Sequence, residues 1–232
     1  FQKELENYLD IKHVIPCGNG TDALQIALMA LNLKPNDEVI CPAFTFISSA
    51  EVIGLLGLRP VLVDVDYDNF IVTKTNIEQA ISVKTKAIIP VHLFGQGADM
   101  EEIMKIAKKY DLAVIEDTAQ ALGCDYTFSD NTTKKLGTIG TIGCTSFFPS
   151  KNLGCYGDGG ALMTTDDELA EKIKMITNHG SKIKYNHQVL GVNSRLDTLQ
   201  AAILDVKLKH LESYIKARQT AANIYNEGLK DI

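Results

Sequence analysis

Short apolar runs alternate with longer amphipathic segments along most of the chain, and this order restricts the fold more than any other feature of the sequence. The runs have the composition of strands, and the segments between them carry apolar residues at helical spacing. Strands joined through helices make right-handed crossovers in a mainly parallel sheet. We therefore predict an α/β fold with three layers, in which helices cover both faces of the sheet. The predicted strands are residues 38–42, 60–66, 86–93, 112–117, 144–149 and 161–165, and the predicted helices are residues 22–31, 48–56, 75–81, 100–110 and 166–178.

The ends of the chain differ from its middle. Residues 1–10 have the pattern of a helix that has already begun, and residues 194–218 are predicted to form one long helix. The chain stops at residue 232 without a helix cap, and no repeat or linker-like segment divides it. We expect a single unit that is a piece of a longer protein.

Composition and charge argue against several classes of function. With 232 residues, 45% of them hydrophobic, the chain can bury a substantial core. A net charge of -6 gives no basic footprint for nucleic acid. The apolar runs are too short to span a bilayer and the first residues lack the layout of a signal peptide, so we predict a soluble, cytoplasmic protein. The five cysteines form no CxxC or CxH pattern, which predicts neither a disulfide framework nor a metal site.

Polar side chains occur at or after the ends of three predicted strands. Asp117 ends one strand and Gln120 follows it, His92 lies near the end of a second, and Lys151 follows a third. In open α/β sheets, ligands bind beyond the carboxyl ends of the strands. We therefore expect an acid, an amide, an imidazole and an amine to converge on one crevice, which indicates a cofactor site.

Lys151 lies in an unusual local sequence, SFFPSKNLGCYGDGG, directly after a proline and a serine and before a glycine-rich turn. Glycines permit the close backbone approach that a lysine used for covalent chemistry needs. A surface lysine at a strand end is the alternative interpretation.

The stretch GNGTDA at residues 18–23 leads directly into a predicted helix. Free N–H groups and the positive end of the helix dipole can hold a phosphate there. An ordinary helix capped by Thr21 explains the same residues, so both interpretations stay open. The stretch matches neither the Walker A pattern nor the dinucleotide G-x-G-x-x-G fingerprint, which argues against a nucleoside triphosphatase or a dehydrogenase.

Asp117, its neighbour Glu116 and two aromatic residues complete the candidate set. A carboxylate at a strand end is either solvated or aimed at a buried cation, and in the second case Asp117 could keep the ring nitrogen of a heteroaromatic ligand protonated. Glu116 is on the opposite face of the strand and is predicted to be structural. Phe44 and Phe46 are core residues, or one of them stacks on a flat ligand.

Taken together, six segments resemble the successive signature segments of the DegT/DnrJ/StrS sugar aminotransferases, in order and over essentially the whole chain. The resemblance implies aspartate aminotransferase fold type I, with residues 1–232 as the large domain that binds pyridoxal 5′-phosphate. It also implies that a short N-terminal segment and most of a smaller C-terminal domain are missing. Within the family, the chain is similar to nucleotide-diphospho-sugar aminotransferases, especially those that make 3-amino sugars for surface polysaccharides. The segments are GNGTDALQIALMAL, PAFTFISSAEVIGLLG, PVHLFGQGADMEEI, VIEDTAQALG, TSFFPSKNLGCYGDGGA and GVNSRLDTLQAAIL.

The resemblance implies roles for the residues around the cofactor ring. Lys151 would anchor the cofactor covalently and move the proton during transfer. Asp117 would pair with the ring nitrogen, Gln120 would contact the ring hydroxyl, and Phe46 would stack on the ring.

Further residues are implied to hold the phosphate. They are Thr21, the backbone around Asp22, and Ser146. Asn193 would reach the phosphate of the neighbouring subunit, because the sites of this family are shared across a homodimer.

The implied reaction moves an amino group from a donor, expected to be glutamate, to the keto group of a nucleotide-linked sugar. His92 and Arg195 are the candidate substrate contacts. Arg195 binds a carboxylate of the donor, binds a uronate substrate, or braces its loop. A sugar dehydratase is disfavoured because those relatives carry histidine in place of the lysine, and a non-catalytic regulatory protein with the same fold is the other alternative. The sugar, the nucleotide and the aminated carbon stay open.

Overall fold

The computed structural model describes residues 1–231, and a seven-stranded sheet forms its centre. The strands are β1 (His13–Cys17), β2 (Glu38–Pro42), β3 (Arg59–Val63), β4 (Thr85–Ile88), β5 (Ala113–Asp117), β6 (Asp125–Thr127), β7 (Thr133–Lys135), β8 (Ile142–Ser146), β9 (Gly160–Thr164), β10 (Ser181–Ile183) and β11 (Asn186–His187). The helices are α1 (Gln2–Leu9), α2 (Gly20–Ala30), α3 (Ser48–Leu55), α4 (Lys74–Ala80), α5 (Met100–Tyr110), α6 (Asp167–Thr177), α7 (Thr198–Leu208) and α8 (Leu211–Gly228), with a short 3₁₀ turn at Leu93–Gly95.

The sheet has the strand order β1-β9-β8-β5-β4-β2-β3. Neighbouring strands from β3 to β8 are parallel, whereas β9 pairs antiparallel with both β8 and β1. Only β9 therefore runs against the other strands of this sheet. The predicted mainly parallel α/β fold is confirmed.

Helices bury apolar side chains on both faces of the sheet, as the three-layer prediction requires. On one face α2, α3 and α6 contribute residues such as Ile26, Ile53 and Ile173, and on the other α4 and α5 contribute residues such as Ile77 and Ile103. A third apolar cluster joins α1, α7 and the start of α8 to Phe147, Leu153 and Cys155, which lie on either side of Lys151. Among the helices of residues 1–231, none combines the length and apolar character that crossing a membrane requires.

The register of the sheet brings three chain segments to one edge. Cys17 at the end of β1 and Ser146 at the end of β8 both pair with Gly160, the first residue of β9. Asp117 at the end of β5 pairs with Cys144 on the neighbouring strand. The residues that follow β1, β5 and β8 therefore emerge side by side, which is where the strand-end rule places a ligand.

The structure differs from the sequence-based expectation in the long C-terminal helix and in five strands that were not predicted, β1, β6, β7, β10 and β11. Strand β1 was not predicted; it contains Pro16 and lies at the edge of the sheet, where a residue without an N–H is tolerated. The single helix expected over residues 194–218 is wrong: it begins only at Thr198 and divides into α7 and α8. Tertiary contacts cause the difference, because the Ser194 N–H donates to the carbonyl of Thr177, and the break after α7 lets Leu211 be fully buried.

Candidate active site

A cavity of about 480 Å³ opens at the edge where β1, β5 and β8 end. Its size suits a small organic ligand or cofactor. We call it the strand-end pocket. Six of the residues predicted from the sequence line it: Thr21, Phe46, Asp117, Gln120, Ser146 and Lys151.

Asp117 presents a buried carboxylate to this pocket. Its Oδ1 accepts the Ala119 N–H at 3.0 Å, and its Oδ2 accepts the Ser49 hydroxyl at 3.2 Å. Burial raises the pKa of Asp117 above its ordinary value, while those two donors and the charge of Lys151 act in the opposite direction. A buried carboxylate of this kind gains most from a cationic partner in the pocket.

Gln120 has a fixed orientation because its Oε1 accepts the Phe94 N–H at 2.8 Å. The carbonyl of the amide is therefore engaged, and Nε2 is left as a donor toward a ligand oxygen. Phe94 presents its N–H from a left-handed backbone with φ 58°. A non-glycine residue in this region is strained, and such strain is concentrated at functional sites.

The start of α2 forms one wall of the pocket. Asn19 caps the helix by accepting the Asp22 N–H at 2.8 Å, so Thr21 is not the cap and its side chain is available to a ligand. The N–H groups of Gly20 and Thr21 belong to the first turn, where no helical carbonyl can pair with them. We call these two N–H groups, together with the Thr21 and Ser146 hydroxyls, the phosphate cradle.

Two glycines are required for this wall to form. A Cβ at Gly20 would lie 2.7 Å from the Cβ of Ser146, and a Cβ at Gly160 would lie 2.5 Å from the backbone of Asn19. Both distances are shorter than a side chain can tolerate. The glycines therefore allow the ends of β1 and β8 to approach until Ser146 lies beside the helix start.

The segment that carries Lys151 is tied back to the sheet and to α7. The Lys151 N–H donates to the carbonyl of Phe148, and the Cys155 N–H donates to that of Phe147. Lys207 on α7 donates to the carbonyl of Gly154. These bonds hold Lys151 half-buried at the pocket wall, and its charge acts on Asp117 across the pocket.

Phe46 and Phe44 have different surroundings. Phe46 lines the pocket and is 68% exposed, whereas Phe44 packs against Phe70 with ring centroids 5.1 Å apart. Phe46 is thus a surface aromatic at the pocket and not a core residue, and it is the one of the two that can stack on a ligand placed there.

His92, the predicted substrate contact, does not line the pocket. The ring is fully buried: its Nδ1 accepts the Ala98 N–H at 3.1 Å, so its Nε2 carries the hydrogen and donates to Glu116 at 3.0 Å. Glu116 also accepts the N–H groups of Gly137, Ile139 and Gly140. His92 therefore belongs to a buried network beneath the pocket.

Three other predicted residues lie outside the pocket wall. The Asp22 N–H donates to Asn19 and the Asp22 carboxylate accepts the Ser194 hydroxyl. Asn193 and Arg195 are exposed on the segment that leads to α7. The structure thus brings six predicted residues together and leaves these three and His92 elsewhere.

Sequence reasoning missed the residues that hold the pocket side chains in place. Ser49 supports Asp117, Phe94 supports Gln120, and Asn19 caps α2. Only Asn19 had a sequence signal, since asparagine before a helix is a preferred cap. Within residues 1–231 no group of three metal-ligating side chains occurs.

The amino-acid sequence is similar to those of sugar aminotransferases and of a regulatory protein. The model of the DegT/DnrJ/EryC1/StrS aminotransferase family matches residues 1–232. A protein of Geobacillus stearothermophilus named "Pleiotropic regulatory protein" is 51% identical, over 99% of this chain and 60% of its own length. The UDP-2-acetamido-2-deoxy-3-oxo-D-glucuronate aminotransferase of Pseudomonas aeruginosa is 50% identical, over 100% of this chain and 63% of its own length.

Solved structures show the same fold. A DegT DnrJ EryC1 StrS aminotransferase from Brucella abortus superposes with a TM-score of 0.94 at 45% identity, over 100% of this chain and 63% of that one. NtdA from Bacillus subtilis, solved with bound PMP, superposes with a TM-score of 0.82 at 38% identity, over 90% of this chain and 47% of that one. The chain thus spans less than two thirds of the length of these relatives.

Proposed function

The chain belongs to the DegT/DnrJ/EryC1/StrS aminotransferase family, and from this premise we propose that it transfers an amino group to the keto group of a nucleotide-linked sugar with pyridoxal 5′-phosphate as cofactor. The observation that carries the proposal is the pairing of Lys151 and Asp117 in one pocket beside the start of α2. The amine, the buried carboxylate and the phosphate cradle are the three groups that this cofactor needs.

The residues of the pocket fit the cofactor part by part. Asp117 is a buried acid whose pKa is raised by burial. A protonated ring nitrogen beside it would stabilise the ionised carboxylate. The free amide nitrogen of Gln120 can donate to the ring oxygen, and Phe46 can cover a ring face. The phosphate cradle offers N–H groups and hydroxyls at a helix N-terminus. When bound, the cofactor supplies an electron sink for the carbon that loses its proton.

Lys151 has two tasks in this proposal. Its amine binds the cofactor covalently, and once released it is the base that takes a proton from the donor and returns it. Asp117 holds the ring and keeps its nitrogen protonated. The hydrogen bonds from Ser49 and Ala119 fix the direction of that carboxylate, so the residues around the reacting amine are preorganised.

The names of the relatives support a more specific proposal for the substrate. The name of the Pseudomonas relative supports a UDP-linked 3-keto sugar, including a uronate, as the acceptor class. We further propose glutamate as the donor, a cytoplasmic homodimer as the working form, surface polysaccharide biosynthesis as the role, and residues 1–232 as the large domain. The exposure of Asn193 and Arg195 outside their own pocket is consistent with a role for both at a neighbouring subunit.

A half-reaction with glutamate tests the proposal. Adding glutamate without sugar to the cofactor-loaded protein should convert the bound cofactor to its aminated form and release one 2-oxoglutarate per site. Absorbance and quantitation of the oxo acid follow both products. A subsequent panel of nucleotide-linked keto sugars, with 3-keto sugars among them, should return the cofactor to its original spectrum.

A regulatory protein that binds the cofactor without turnover is the competing function, because the Geobacillus relative bears such a name. The half-reaction separates the two. A bound cofactor whose spectrum does not change with glutamate or with other amino donors would support the regulator and contradict the transferase.

Replacing Asp117 with asparagine should lower kcat about 10²- to 10³-fold, the effect typical of one preorganised electrostatic contact. The size of the side chain is kept, but the charge that holds the ring nitrogen protonated is lost. Steady-state kinetics with glutamate and a nucleotide-linked keto sugar that the unaltered protein accepts measure the change. Ser49→Ala is the graded control: it removes one hydrogen bond to Asp117 and leaves the charge, so its effect should be clearly smaller. Equal effects of the two variants would contradict the assigned role of the charge.

A further inference from the structure

We propose that Ser194 is a positioning residue that turns the carboxylate of Asp22 away from the phosphate cradle. The inference rests on the proposed cofactor, since it concerns how the chain makes room for a phosphate. It adds a residue that lies outside the pocket and 172 positions from its partner in the sequence.

The need for such a residue arises from the sequence at the start of α2. Asp22 lies in the first turn, directly after Thr21, whose N–H and hydroxyl belong to the cradle. A carboxylate in the first turn is attracted to the positive end of the helix, which is the same feature that attracts a phosphate. An Asp22 side chain directed into the cradle would therefore both compete with a phosphate and repel it.

The structure shows where that carboxylate goes. Ser194 is 2% exposed, and its hydroxyl donates to Asp22 Oδ2 at 2.5 Å while accepting the Gly18 N–H at 2.8 Å. A serine hydroxyl has one hydrogen, so the Gly18 contact leaves that hydrogen for the carboxylate. Thr21 lines the strand-end pocket and Asp22 does not.

Gly18 leaves room for the contact between Ser194 and Asp22. A Cβ at Gly18 would lie 3.0 Å from Asp22 Oδ2 and 3.2 Å from the Ser194 oxygen. Both polar groups thus pack directly over the glycine. Gly18→Ala would crowd both groups of the contact at once.

Ser194 is held from a direction that is independent of α2. Its own N–H donates to the carbonyl of Thr177 at 3.1 Å, and the Val192 N–H donates to the carbonyl of Ile176 at 2.8 Å. Between them, Asn193 forms an isolated antiparallel β-bridge with Asn178. The serine is therefore fixed by the end of α6. Because the anchor is external to the helix, the orientation of Asp22 is imposed by Ser194 and not by local helix geometry.

A purely structural tether between the two segments is the competing explanation, and the charge of Asp22 separates the two. The experiment measures binding of pyridoxal 5′-phosphate, and of pyridoxal, which lacks the phosphate, to the unaltered protein, Ser194→Ala, Asp22→Asn and the double variant. Ser194→Ala should weaken binding of the phosphorylated ligand about 10- to 100-fold, the range for a lost hydrogen bond to a charged group. The double variant should recover most of that loss, and pyridoxal should bind all four proteins alike.

Two results would overturn the inference. One is a double variant that binds pyridoxal 5′-phosphate as weakly as Ser194→Ala, and the other is an equal loss for pyridoxal, since a tether affects both ligands. Should Ser194→Ala not fold, Ser194→Cys keeps the size of the side chain with a weaker donor and is compared with its own Asp22→Asn double variant in the same way. Failure of the proposed cofactor is distinct from both, because the unaltered protein would then bind neither ligand at Lys151. Failure of amino transfer alone would leave binding intact and would be seen only in the half-reaction with glutamate.

Discussion

Replacing Lys151 with alanine should lower the rate of amino transfer by about 10²- to 10⁴-fold, the range that general acid–base catalysis contributes. The amine is half-buried, and Lys151 is the only lysine among the described residues that line the pocket. The rate of 2-oxoglutarate formation from glutamate, measured with saturating cofactor, gives the effect. Saturation matters because the variant also loses its covalent link to the cofactor.

Two further variants make this result specific. Lys151→Arg keeps the positive charge but not a nucleophilic amine, and it should be as inactive as the alanine variant. Lys184→Ala removes an exposed lysine outside the pocket wall and should leave the rate unchanged. A Lys151→Arg protein with more than about a tenth of the unaltered rate would contradict the assigned chemistry, since general base catalysis is worth more than this.

Replacing Glu116 with glutamine should give the largest loss of stability, about 3–5 kcal/mol in the free energy of unfolding, as expected when one partner of a buried charged network is changed. The carboxylate accepts hydrogen bonds from His92 and from the N–H groups of Gly137, Ile139 and Gly140. An amide has the same shape, but its NH₂ group would point two hydrogens at N–H groups that now donate to a carboxylate oxygen. Urea unfolding followed by circular dichroism measures the change. Glu171→Gln, which alters two surface ion pairs, is the control that should change little.

The effect of Glu116 should depend on pH. Burial by itself raises the pKa of this carboxyl, but the bonds from His92, Gly140 and Gly137 outweigh burial and bring it below the ordinary value of 4.5. A lowered pKa in the folded state means that the ionised form stabilises the fold above pH 4.5, and that this stabilisation is lost as pH falls through the lowered pKa. The difference in unfolding free energy between the unaltered protein and Glu116→Gln should therefore shrink below pH 4.5. A difference that stays constant from pH 7 to pH 3 would show that the charge is not what matters.

Local sequence patterns were sufficient to find three polar side chains of the pocket. Lys151, Asp117 and Gln120 follow strand ends, and parallel strands bring their carboxyl ends to one edge, so the convergence of these side chains follows from the order of elements. Thr21 and Ser146 required the resemblance as well, because a helix start and a strand-end serine are common features. The strand that carries Pro16 was missed because a proline within a short run argues against a strand unless the run lies at a sheet edge.

Contacts between distant parts of the chain could not be predicted in this way. His92 shares its strand-end position with true pocket residues, and only its bond to Glu116 shows that it lies inside the core. Ser49 supports Asp117 across 68 positions, and Ser194 holds Asp22 across 172. No periodicity or local motif encodes such pairs, since each is created by the packing of separate elements.

Borohydride reduction of the protein loaded with pyridoxal 5′-phosphate, followed by peptide mass spectrometry, tests the central claim most directly. Reduction makes the link between cofactor and lysine permanent, so the labelled peptide identifies the lysine. We expect one label per chain, on the peptide that contains Lys151, and no label on the Lys151→Arg protein. A label on a different lysine, or a protein that carries no label at saturating cofactor, would contradict the claim that the strand-end pocket is the active site.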